Sequence, residues 1–366
     1  MSRIISIGTA IPRYSTPQNR ILGYMQEAYA DETASRKLKI LFHQSGIGTR
    51  NSVIPDFGNE EKGTPLFKGN HSLPNVEDRM LVYKEHAVPL AIDAIENALG
   101  KLDISVVNFG FTHLITVTCT GLYAPGIDAE IIERLGLPID IFRTTVNFMG
   151  CNAAFHALKL GDLIVRAEPA AKVLIVCVEL CTIHFQPKNN HDNLLSNTIF
   201  GDGAAAVIIT SDAYGKDNHH CGLTINGFYS LLLNKGKDLM GWNITPVNFE
   251  MILNAKVPEF IGDEINNVVL KASSKFNIQP NAISHWAVHP GGKKILDTIK
   301  KQMQLADDDL QSSYNVLEQY GNMSSPTILF VLNDLGKRLL QIDETIFAVG
   351  FGPGLSIETA LLTYEE

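Results

Sequence analysis

The chain has 366 residues, 45% of them hydrophobic, with 30 Lys and Arg against 39 Asp and Glu. Its mean hydropathy is +0.05, which argues against a disordered chain, and the length suffices for one large core or two fused halves. A formal charge of -9 argues against non-specific nucleic-acid binding, which needs a net basic surface.

Every apolar run falls short of the ~18 residues of a membrane helix, and the start, Met1-Ser2-Arg3-Ile4-Ile5, lacks a signal-peptide pattern. The five cysteines (Cys119, Cys151, Cys177, Cys181, Cys221) match neither a zinc ribbon nor a CxxC pair. The expectation is a reduced, cytoplasmic protein that binds no metal and enters no membrane.

Strand and helix signals then alternate, which predicts an α/β protein. Ile4–Ile7 reads as a strand, and 18–43 as helical with a break near Asp31. Residues 47–75 are rich in Gly, Pro, Asn and Asp and read as loop. Asp78–Leu99 carries Leu81, Ala87, Leu90, Ala91, Ala94, Ile95 and Leu99 at helical spacing. His113–Thr118 reads as a buried strand running into the loop Cys119–Gly121, and a short helix follows over Gly126–Leu135. Cys151–Ala167 reads as a helix, and Lys172–Val178 and Ala204–Thr210 as central strands. Past Asp212 the chain turns polar and the pattern restarts. A strand is predicted over Leu223–Leu233, a helix over Val257–Phe276 and a strand over Ser284–Val288. Helices follow at 291–303, 306–318 and 325–340, then a strand over Thr345–Val349. The predicted division is 1–212 and 213–366.

Three residues in this pattern carry chemistry. Cys151 follows Asn147-Phe148-Met149-Gly150 and opens a helix, where the positive end of the macrodipole favours thiolate. His289 ends an apolar strand and precedes Pro290-Gly291-Gly292, at a strand end where α/β proteins place their sites. Asn322 lies in Gly321-Asn322-Met323-Ser324-Ser325, and its neutral amide can hold an enolate without offering a proton to quench it. A Cys, a His and an Asn dispersed through one chain predict a covalent acyl-transfer site assembled by the fold.

These segments, with Phe200-Gly201-Asp202-Gly203-Ala204-Ala205-Ala206 and Gly350-Phe351-Gly352-Pro353-Gly354-Leu355, resemble the chalcone synthase family of type III polyketide synthases. The motifs stand in the family's order over most of the chain. The resemblance implies a thiolase-like, five-layered αβαβα fold built from two related halves, and a homodimer. It implies no bound cofactor, with acyl-CoA and malonyl-CoA as substrates. Cys151 would take the starter, and His289 and Asn322 would drive decarboxylation of the malonyl thioester. Condensation and cyclisation to a pyrone or resorcinol would follow.

By the same resemblance Phe200 is a gatekeeper, with the second gatekeeper falling near Met251 and Phe249 close by. Cys119, His184, Ser324, Gly352 and Pro353 would line the cavity. Arg36, Lys37 and Lys39 would meet the CoA phosphates. Ile40 and Gln44 stand in place of two members of the family's basic trio, which raises an acyl-carrier-protein donor as an alternative. Two other readings remain: a ketoacyl synthase that starts fatty-acid chains, and a non-catalytic acyl-binding protein of the same fold.

Overall fold

A computed structural model describes residues 1–58, 65–67, 73–338 and 341–365. Its strands are β1 (Ser2–Ala10), β2 (Tyr14–Pro17), β3 (Thr49–Ser52), β4 (His113–Thr118), β5 (Phe142–Asn147), β6 (Val173–Leu180) and β7 (Asp202–Ser211). They continue with β8 (Gly222–Leu232), β9 (Met240–Ile244), β10 (Phe249–Leu253), β11 (His285–Val288), β12 (Thr345–Gly352) and β13 (Ser356–Glu365). Nine of them hydrogen-bond in the order β11-β12-β13-β8-β1-β7-β6-β4-β5.

That order repeats itself. In the first half β1 pairs antiparallel with β7, β7 antiparallel with β6, and β6 parallel with β4. In the second half β8 pairs antiparallel with β13, β13 antiparallel with β12, and β12 parallel with β11. Among the described residues the strand pairs that join the two halves are Arg3↔Thr224 and Ile4↔Leu223. A sheet joined by so short a seam is two sheets turned against each other, and successive residues of its strands face different layers.

The alternation is visible in where each side chain packs. Leu174, Val176 and Val178 of β6 face a cluster shared with the helices Val76–Gly100 and Ile127–Leu135. Val173, Ile175 and Cys177 face the opposite way, onto the helices Ala153–Ala167 and Thr327–Lys337. Ile346 and Ala348 of β12 join that same middle layer. Phe347, Val349 and Phe351 turn outward onto the helices Val257–Phe276 and Lys293–Met303. The result is helix, sheet, helix, sheet, helix, the thiolase-like five layers that the resemblance implied. Each fully buried aliphatic side chain contributes roughly 1.5–3 kcal/mol, so the apolar middle layer is a large share of what holds the halves together.

Several elements differ from the sequence expectation. The break near Asp31 is present: Ala30 turns left-handed at φ 47°, and Asp31 caps the next helix by accepting from the Ala34 amide at 2.6 Å. The helix after Cys151 begins at Ala153, because Gly150 is left-handed and Cys151-Asn152 form the turn. The predicted helix 306–318 splits into a short 3-10 turn, Asp307–Leu310, and the helix Gln311–Tyr320. The predicted helix 325–340 is observed as Thr327–Lys337, and residues 339–340 lie outside the described residues. The loop-rich stretch 47–75 contains β3, while 59–64 and 68–72 also lie outside them. β13 follows the glycine loop where no strand was predicted. The hairpin β9–β10 also has no counterpart in the predicted elements; its strands pair only with each other.

Candidate active site

The strand ends β4, β6, β11 and β12 and the start of β7 come together around Cys151. Gly150 sits at φ +80°, and a Cβ there would fall 2.1 Å from Cδ of Pro353. Only glycine permits that approach, and the contact seats the glycine loop of the second half on the cysteine turn of the first. Phe148 and Ser324 are non-glycine residues held at φ 58° and 60°. Left-handed backbone at such residues is costly and gathers at functional sites. Here it flanks the cysteine turn on one side and Asn322 on the other.

The thiol of Cys151 is buried and lies within hydrogen-bonding reach of the Ser324 and Asn322 side chains. The amide oxygen of Asn322 accepts from the Ser324 amide at 2.8 Å and from Thr327 Oγ1 at 3.4 Å. Its oxygen is thereby engaged, so the NH2 end of the amide faces the sulfur. His289 directly follows β11, with its own amide donating to the Val349 carbonyl at 2.8 Å. Both of its ring nitrogens are buried without a partner. Buried polar atoms almost always find partners, so a histidine left open on both sides is a group with a partner still to come.

The sequence predicted that the helix end favours a thiolate at Cys151, and burial acts in the opposite direction. Burial pushes the thiol up to about 11, and the nearby Glu179 carboxyl adds to the rise; the Ser324 and Asn322 contacts oppose it. Desolvation therefore works against the helix end at this sulfur. Burial likewise pushes His289 down to about 3, which leaves it neutral and able to take a proton.

A cavity of about 20 Å3 lies at the sulfur, lined by Cys119, Cys151, Cys181, Phe200, Met240, Trp242, Met251, Ser324 and Pro353 among others. Beyond Trp242 and Met251 lies a second space of about 40 Å3, lined by His184, Phe249, Met25 and Phe57 among others. Of the residues predicted for the cavity, Cys119, Phe200, Met251, Ser324 and Pro353 line the first space, and His184 the second. Gly352 does not line either: a Cβ on it would meet the Asn152 amide at 2.3 Å, so its smallness makes room for Asn152.

His184 is buried. Nδ1 accepts from the Phe249 amide at 3.1 Å and Nε2 donates to the Thr120 carbonyl at 2.7 Å, which fixes the neutral tautomer. Burial pushes it down to about 3, and its ring stacks on Phe249 at 4.6 Å. With Trp242 Nε1 donating to the Cys119 carbonyl at 2.6 Å, these bonds fasten the hairpin β9–β10 over the site.

Arg36, Lys37 and Lys39 are exposed on the helix Glu32–Gln44, and Arg36 faces Glu32 at 3.9 Å. None of the three lines the nearby cleft of about 590 Å3. That cleft is lined from the same helix by Leu41, His43 and Gln44, and from across by Lys293 and Lys294. Its lining reaches Ile199, next to Phe200, and Gly291, two residues past His289.

Several residues of the site were not singled out from sequence. Asp202 is buried and accepts from the Val53 amide, the Thr182 amide and Thr182 Oγ1 at 2.9, 2.7 and 2.6 Å. Buried Arg50 donates to the Phe200 carbonyl at 2.7 Å, holding that backbone from behind. Glu179 is buried at the end of β6. A lone acid within the apolar run Val173–Leu180 was its one visible signal.

A cysteine, a neutral histidine and an oriented amide at the facing strand ends of a thiolase-like fold define a condensing enzyme that acts on thioesters. The family description "Chalcone and stilbene synthases, N-terminal domain" matches residues 1–213, and "Chalcone and stilbene synthases, C-terminal domain" matches 229–364. The chain belongs to this family, the type III polyketide synthases. It is 30% identical over 362 residues to the alpha-pyrone synthesis polyketide synthase-like Pks18 of Mycobacterium tuberculosis, covering 98% of this chain and 90% of that one. It is 28% identical to the 3,5-dihydroxyphenylacetyl-CoA synthase of Streptomyces toyocaensis, covering 99% and 90%. The crystal structure of PKS-I from the brown alga Ectocarpus siliculosus superposes with a TM-score of 0.93 at 29% identity, covering 99% and 98%.

No helix among the described residues is long and apolar enough to cross a membrane. Among those residues there is no group of three or more His, Cys, Asp or Glu that could hold a metal ion.

Proposed function

We propose that the protein loads an acyl-CoA starter on Cys151, extends it with malonyl-CoA, and releases a cyclised pyrone or resorcinol. The observation that carries this is the orientation of Asn322, whose NH2 end faces the sulfur while its oxygen is engaged. In loading, neutral His289 takes the Cys151 proton as the sulfur attacks the thioester carbonyl, and CoA leaves as the thiol. In extension, Asn322 and His289 donate to the malonyl thioester oxygen, where negative charge gathers as CO2 departs. The carbanion then attacks the Cys151 thioester, forming the carbon–carbon bond and freeing the sulfur.

The test is incubation with malonyl-CoA and a panel of acyl-CoA starters, read by mass spectrometry of products and intact protein. Multiply extended pyrones or resorcinols with starter mass on Cys151 are expected. Single extensions, or acylation only from a carrier protein, would favour the ketoacyl synthase reading. No acylation from any donor would leave the fold and overturn the proposal.

For CoA itself we infer entry through the cleft lined by His43, Gln44, Lys293 and Lys294. The helix Lys293–Met303 begins at Gly292 with no side-chain cap and no acid in its first turn. Its open amides and two lysines, set against the usual charge preference of a helix start, suit phosphate groups. Replacing both lysines by alanine is expected to raise KM for the CoA thioester roughly tenfold with kcat spared, an effect that shrinks at high salt. An unchanged KM at low salt would exclude this route.

We also infer a homodimer and a domain division near Asp212. β5 is an open edge of the sheet, and beside it Ile139 and Phe142 are 98% and 70% exposed. An unpaired strand edge flanked by large apolar side chains suits burial against a second copy. Phe142→Asp is expected to sediment as monomer where the parent is dimeric; a monomeric parent would refute the assignment. The division is supported by the repeat of strand pairings on either side of the β8–β1 seam.

A further inference from the structure

Arg79 lies in the opening turn of the helix Val76–Gly100, close to its positive end, where a cation is out of place. Helix chemistry therefore does not account for it. Its side chain is fully buried, and its donors reach backbone carbonyls of three separate segments. Nε donates to the Val247 carbonyl at 2.6 Å and to the Pro74 carbonyl at 3.2 Å. Nη1 donates to the Ile183 carbonyl, and to the Phe185 carbonyl at 3.2 Å. The guanidinium carbon lies 5.4 Å from the ring centroid of Phe67.

Three of these carbonyls adjoin the wall of the second space. Ile183 and Phe185 flank His184 in the chain, and Val247 precedes Asn248 and Phe249. His184, Phe185, Asn248 and Phe249 all line that space. Asn248 Nδ2 also donates to the His184 carbonyl at 3.2 Å, so the two strips are bonded to each other as well as to Arg79.

Stability alone gives no reason for this arrangement. Nη2 is buried without a partner among the described residues, and the bonds above go to carbonyls rather than to a carboxylate. The adjacent Asp78 carboxylate accepts from the Asn75 amide instead. A buried cation without a bonded counter-charge adds little to stability. What it supplies is geometry, a planar fork whose N–H donors point in fixed directions. A lysine ammonium is a point charge and cannot span the same carbonyls.

We propose that Arg79 is a positioning residue for acyl-chain selection. It grips the turn of the β9–β10 hairpin and the turn Cys181–His184 from behind, and so keeps the His184–Phe249 stack closed against long chains. The spaces of about 20 and 40 Å3 at and beyond the sulfur suit a short acyl group. An octanoyl chain has to push this wall back. The inference rests on loading of Cys151 from acyl-CoA, and adds which buried side chain sets the preference among donors.

The experiment is competition between acetyl-CoA and octanoyl-CoA for Cys151, without malonyl-CoA, read by mass spectrometry of the intact full-length protein. Both donors carry the same CoA, so the ratio of acetyl to octanoyl adducts reports the acyl chamber. A misfolded fraction lowers both adducts together and leaves the ratio unchanged, which separates positioning from general damage. The parent is expected to favour acetyl. In Arg79→Lys the ratio is expected to fall roughly tenfold, the scale of one or two lost hydrogen bonds, with acetyl loading within about threefold of the parent. Asn248→Ala loses the Nδ2 bond to His184 from the hairpin side and should move the ratio the same way. It decides the matter if Arg79→Lys does not fold. A ratio within about twofold of the parent's in the folded variant overturns the proposal, and so does a parent that takes octanoyl as readily as acetyl. A parent that loads neither donor overturns the proposed activity as well, so the two failures are told apart.

Discussion

Cys151→Ala is expected to lower chain extension by more than about 1000-fold while malonyl-CoA decarboxylation stays measurable. Extension needs a sulfur to carry the starter and to leave when the carbanion attacks. Decarboxylation needs only donors aimed at the malonyl thioester oxygen, and in the proposed mechanism those are His289 and Asn322. Alanine should also be tolerated structurally, since the turn is set by Gly150 and its contact with Pro353. Carbon dioxide release from labelled malonyl-CoA, measured beside product formation, separates the two steps. Extension within tenfold of the parent would remove Cys151 from the mechanism.

Asn322→Ala is expected to slow decarboxylation by about 100- to 1000-fold, the usual cost of removing one preorganised donor. Alanine also removes the acceptor for the Ser324 amide and Thr327 Oγ1, so a loss could be confused with a collapsed turn. Asn322→Asp answers this. It keeps an oxygen for those two donors and loses the NH2 end that faces the sulfur. Both variants should therefore lose decarboxylation, while the aspartate variant should keep a melting temperature close to that of the parent. Decarboxylation by Asn322→Asp at the parent's rate would show that the amide donor is not used.

The readable parts of this site were those fixed by short-range chain chemistry. Gly150 before Cys151, Pro290-Gly291-Gly292 after His289 and Gly321 before Asn322 are local punctuation, and each marks a bend at a strand or helix end. The alternation of apolar strands and amphipathic helices marked an α/β chain for the same reason, while the five layers were implied by the family resemblance. Missed features depend on partners far along the chain. Glu179 becomes meaningful only when Cys119 and Ser325, 60 and 146 residues away, close around it. Met240–Ile244 and Phe249–Leu253 are too short and too mixed in polarity to announce a hairpin. β13 was hidden behind the glycine loop that precedes it. The burial that opposes a thiolate at Cys151 was not legible, because a helix end is visible in sequence and the depth of a sulfur is not.

The hairpin β9–β10 carries Met240, Trp242, Phe249 and Met251 to the two small spaces, yet neither of its strands is a member of the nine-stranded sheet. It is fastened by side-chain contacts at Cys119 and His184 rather than by a shared ladder. Changes along this ribbon therefore fall on the shape of the chamber and spare the layers that keep the molecule folded. On the proposed activity, catalysis and much of the chamber's shape would then be carried by separable pieces of chain: one shared between the halves, the other a ribbon outside the main ladder.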